Sequence, residues 1–130
     1  MHLLTTTVAR VLFALPFGIF GIFHLIAGGQ MAPMVPIPGG AVWVYFTGLA
    51  MIAGCIGLIT KIQGKWAALG LALLMLLFIL FVHLPGSMSS DQAVQQLHIS
   101  QVLKNLGLLG GALTWAGIFR REELSHPHTA

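Results

Sequence analysis

The stretch "QLHISQVLKNLGLLGG", residues 96–111, places His98, Gln101, Lys104 and Asn105 inside an otherwise apolar run. At helical spacing, about 100° per residue, these four side chains and Leu108 fall within an arc of roughly 120°. An ammonium, an imidazole and two amides on one helix face can donate and accept hydrogen bonds, hold an anion or a carbonyl, or pass a proton. Two more imidazoles, His24 and His83, sit in other apolar runs. Phe13, Phe17, Phe20 and His24 share one helical face. A polar stripe opposite an aromatic one can line a space for a flat, amphipathic molecule.

The elements that carry these residues are membrane spans. Of the 130 residues, 57% are hydrophobic and 7% charged, against about 25% charged in a typical soluble domain. Mean hydropathy is +0.92. The pI near 9.6 does not indicate a nucleic-acid partner, because the cations form no patch interleaved with aromatics. The natural partner is a lipid bilayer.

A span needs about 20 mostly apolar residues. Four stretches meet this, at Val11–Gly28, Ala41–Thr60, Trp66–Leu84 and Ile99–Phe119. The expected fold is a single domain over residues 1–130: an all-α integral membrane protein, an antiparallel bundle of four transmembrane helices. The first stretch follows Arg10 and resembles a signal peptide, but it is long for one and contains His24, so it reads as a retained span. Five of the six Lys/Arg (Arg10, Lys61, Lys65, Arg120, Arg121) fall on one side if both termini lie there. That side is then the cytoplasm. Residues 29–40 and 85–97 become outer loops and 120–130 a short, frayed cytoplasmic tail that includes His126 and His128.

The first outer loop, "GGQMAPMVPIPGG", is too rich in proline for regular helix and reads as a lid or a plain connector. In the second, Asp91 has the chemistry to cap a short helix. Small residues in spans two, three and four, including Gly107-x-x-x-Gly111, mark close helix contacts, within one chain or between chains. Cys55 is the only cysteine, which excludes an internal disulfide.

Lys104 is the one cation that the charge asymmetry leaves unexplained. A lysine at the centre of a membrane helix costs about 2.5–3.5 kcal/mol on insertion scales. Two readings stay open. It either snorkels outward and locks the helix, or it contacts a ligand or handles a proton. Asp91 is the only carboxylate expected on that side of the membrane. His24 and His83 read as hydrogen-bonded packing residues or as donors to a quinone or lipid headgroup. Haem is disfavoured, since two inward histidines would need matched depth and room for a porphyrin. No carboxylate or second cysteine completes a metal ligand set.

The order "FGIFGIFHLIAGG", "MVPIPGGAVWVYFTGLAMIAGCIGLI", "GKWAALGLALLMLLFILFVHLPG" and "LKNLGLLGGALTWAG" resembles the DoxX family of small four-helix bacterial membrane proteins. The resemblance runs from about Arg10 to Gly117. It rests on His24, Pro36, Pro38, Gly48, His83, Pro85, Lys104 and Asn105. It implies the inner membrane of a bacterium and a subunit linked to thiosulfate–quinone oxidoreduction or to membrane oxidoreductases handling thiol stress, with quinone as the candidate cofactor. One cysteine offers no pair for a direct thiol mechanism. The chain also lacks a nucleophile–base pair and a phosphate loop, so it does not read as an autonomous enzyme. Three functions follow: a non-catalytic subunit or quinone-site partner of a redox complex, a binding or transport module for a small amphipathic molecule or lipid, or a structural, chaperone-like bundle. The expected protein partners are a second copy, in a homo-oligomer, or other membrane subunits.

Overall fold

The computed structural model describes residues 1–35 and 37–126. Pro36 and His128 lie outside them. Among the described residues, four helices are long and apolar enough to cross a membrane: α1 (Leu4–Ile26), α2 (Gly40–Thr60), α3 (Gly64–Gly86) and α4 (Gln92–Ser125). Their outer surfaces carry large apolar side chains such as Leu12, Ile22, Phe46, Leu73 and Leu103. In water such a surface would be costly; in hydrocarbon it is matched.

The α1–α2 pair approaches most closely. A Cβ on Gly21 would stand 2.7 Å from the carbonyl oxygen of Gly48, so only glycine permits this backbone separation. Further along the same seam Gly18 faces Cys55 and Gly28 lies under Tyr45. The α2–α3 pair meets where Gly54 faces Leu71 and Gly57 faces Ala67. Between them the chain turns through Lys61 and Gln63, both left-handed at φ 65° and 52°. The turn is held to the end of α4 by two ion pairs, Lys61–Glu122 at 2.8 Å and Lys65–Glu123 at 2.7 Å. Helices α1 and α4 meet through side chains, with the Phe13 ring against Gly111.

The core is uneven. Phe17, Leu58, Leu71, Met75, Trp115 and Phe119 are all buried and form one cluster in the half of the bundle that holds the Lys61–Gln63 turn. The opposite half carries His24, His83 and His98, all only partly buried.

Several boundaries differ from the sequence reading, beginning with α1, which starts at Leu4 rather than Val11. The expected 85–97 loop is mostly helix, because Asp91 accepts from the backbone N–H groups of Ala93 (2.9 Å) and Val94 (3.4 Å). This cap fuses the expected short helix with the fourth span into one helix of 34 residues. At 1.5 Å per residue that is about 51 Å, longer than a hydrocarbon core of about 30 Å. The expected 120–130 tail stays helical to Ser125, where the Glu122 and Glu123 ion pairs anchor it. In the first expected outer loop, Gly28–Met31 and Ala32–Met34 form short helical turns. They pack on the start of α2, where the Trp43 indole donates to the Pro38 carbonyl at 2.9 Å.

Candidate functional site

Helix α3 changes winding before it ends. Ile79–His83 is a π-helical segment, a local widening that recurs at functional positions. It delivers His83 to α4, where its Nδ1 lies 3.2 Å from Nδ1 of His98. The ring centres are 5.4 Å apart and tilted by 44°. An N–H···N bond needs one donor and one acceptor, so one Nδ1 carries hydrogen and the other does not. The His98 ring occupies the space where Gly86 lacks a side chain; a Cβ there would collide with it. The sequence reading grouped His98 with the stripe of α4 and His83 with His24. The structure instead couples His83 to His98.

Lys104 lies two turns further along α4. It is exposed on the bundle surface, and its ammonium stands 4.6 Å from the centre of the Phe20 ring. This cation–π contact links α4 to α1. Asp91 does not neutralise it, since that carboxylate caps α4. Among the described residues Lys104 makes no ion pair. Gln101, one turn before it, has a buried side-chain oxygen with no hydrogen-bond partner among the described residues. Asn105 is 2% exposed, the one buried polar side chain among them.

His24 is held within its own helix. Its Nδ1 donates to the Phe20 carbonyl at 2.7 Å, which leaves Nε2 as the acceptor nitrogen of the neutral ring. The ring stacks on Phe78 of α3, 6.1 Å between centres and 19° between planes. Phe17 is fully buried in the core and packs edge-on to Phe13 at 5.3 Å. Of the aromatic stripe, Phe20 is the residue that meets the polar one.

The candidate residues thus meet in two contacts. Phe20 joins Lys104 to the His24 helix, and His83 pairs separately with His98. Phe78 and Gly86 take part without having been anticipated. Phe78 had no signal beyond its apolar run, whereas Gly86 follows directly on "HLP". Among the described residues no group of three or more His, Cys, Asp or Glu forms a metal-binding cluster. An open groove of about 490 Å³ lies elsewhere, between α2 and α3, lined by apolar residues such as Phe46, Ala50, Trp66 and Leu77.

The site combines an aromatic face, an ammonium, an unpartnered amide oxygen and a buried amide along one side of α4. Chemically, the ammonium can donate to a carbonyl and the amide oxygen can accept from a hydroxyl. None of the family models, curated proteins or solved structures compared with the chain matches it.

Proposed function

We propose that the chain is a non-catalytic membrane subunit, or quinone-site partner, of a membrane oxidoreductase system, and that the Gln101–Lys104 face of α4 receives a quinone or quinol head group. The observation that carries this reading is the unpartnered Gln101 oxygen one turn from an ammonium seated on an aromatic ring. A quinone carbonyl accepts from Lys104. A quinol hydroxyl donates to Gln101. The Phe20 ring supplies a face for the flat head group, and the isoprenoid tail lies in lipid. The DoxX-like order of motifs supports the same reading.

The reading includes an antiparallel bundle with both termini in the cytoplasm of a bacterium. Successive contacts support opposed directions: as α1 advances through Gly18, Gly21 and Gly28, its partners on α2 recede through Cys55, Gly48 and Tyr45. The gathering of Arg10, Lys61, Lys65, Arg120 and Arg121 at one end supports the orientation. Other membrane subunits, or a second copy, complete the assembly.

Binding of a short-chain benzoquinone to the purified chain in mild detergent tests the proposal. Lys104→Met should weaken binding by about tenfold or more, the worth of a hydrogen bond from a charged donor. Absence of saturable binding to the wild type would overturn it. Saturable binding of a fatty acid in its place would favour the lipid-binding alternative.

A further inference from the structure

We propose that His83 and His98 form an open two-nitrogen site for a divalent transition-metal ion of the zinc and cobalt class. This goes beyond the quinone reading and uses other residues. Two nitrogens bound to one tetrahedral ion at about 2.0–2.1 Å lie about 3.3–3.4 Å from each other. The two Nδ1 atoms are 3.2 Å apart. The spacing of the pair therefore matches two ligands of one ion, once the rings turn so that both Nδ1 lone pairs converge.

The fold fixes this spacing before any ion arrives. His83 ends the π-helical segment of α3. His98 lies in the second turn of α4, whose start is set by the Asp91 cap. Gly86 leaves room for the His98 ring and holds it toward His83. The rings come from different helices joined by a turn of a few residues, which keeps their backbones close.

Neutral imidazole is a good ligand for zinc, cobalt, nickel and copper. In the metal-free pair, one ring donates its Nδ1 hydrogen to the other. On metal binding the donor ring carries its hydrogen on Nε2 instead, exchanged through solvent, and both Nδ1 lone pairs point at the ion. A neutral pair thus binds metal with no net release of protons. No third His, Cys, Asp or Glu joins the pair among the described residues, so water or an exogenous ligand completes the coordination. Lys104 stands six residues further along α4, a backbone rise of about 9 Å, and its ammonium is engaged on Phe20. That charge opposes a dication and lowers the affinity without blocking the site.

Cobalt titration of the full chain, purified without an added histidine tag, tests the inference. The wild type should develop the visible absorption of tetrahedral cobalt at one ion per chain, and zinc should displace it. His83→Ala and His98→Ala should each weaken binding by about tenfold or more, while His24→Ala leaves it unchanged. No tetrahedral cobalt spectrum in the wild type would overturn the site, a result that needs no variant to fold. Unchanged binding in both His83→Ala and His98→Ala would overturn it equally. Quinone binding that survives in these two variants would leave the Gln101–Lys104 reading standing whatever the cobalt result.

Discussion

The Lys104 ammonium rests 4.6 Å above the centre of the Phe20 ring, 84 residues away in the chain, and so ties the last helix to the first. The contact gives the lysine a partner within the bundle, and its strength bears on the two readings that the sequence left open. A snorkelling lysine would be indifferent to the ring, whereas a cation–π pair is coupled to it. In a double-mutant cycle of Lys104→Met and Phe20→Leu, the coupling should be about 0.5–1 kcal/mol, read from reversible unfolding in mixed micelles. Strict additivity would return Lys104 to the snorkelling role.

Gln101 makes a sharper test, because structure and ligand binding should move in opposite directions. Its buried oxygen has no partner among the described residues, and leaving such a group unsatisfied costs about 1–3 kcal/mol. Gln101→Leu should therefore stabilise the bundle by about 1 kcal/mol while weakening quinone binding. Thermal unfolding and a binding titration on the same preparation check both halves. A variant that loses stability would mean that the oxygen is already satisfied.

Asp91 sets where α4 begins and so where His98 stands. Asp91→Ala should remove about 1 kcal/mol of helix stability. Backbone amides from Ala93 to Leu97 should exchange faster with solvent deuterium, and amides near Phe119 should not change. Uniform acceleration along the whole of α4 would show that the cap governs more than the first turns.

Orientation is open to direct labelling. On a Cys55→Ala background, Ser90→Cys should react with a membrane-impermeant maleimide in intact cells. Ser125→Cys should react only after the cells are opened. The reverse pattern would invert the topology and place the histidine pair in the cytoplasm.

Much of this architecture is written plainly in the chain. Four long apolar runs announce four helices, and the oddness of Lys104 is visible at once. The extent of α4 is less so, because a cap in a polar segment can either start a separate short helix or prolong the next one. Asp91 does the latter, and only the continuous backbone hydrogen bonding reveals it. The pairing of His83 with His98 was hidden for another reason. It depends on a π-helical segment at Ile79–His83, for which "ILFVH" gives no periodic signal. The seat of Lys104 on Phe20 depends on how α1 packs against α4, which the order of residues along either helix does not show.

The uneven core gives the molecule a rigid end and a compliant one. Where Phe17, Leu71, Trp115 and Phe119 interlock, opening requires many side chains to leave their contacts together. Toward the histidines fewer contacts must break, so local opening there costs less than global unfolding. Amide exchange at the adjoining ends of α3 and α4 should therefore outpace exchange in the core cluster. The hydrogen-bonding groups of α4 are carried toward that end, and the ion pairs of Lys61 and Lys65 close the other.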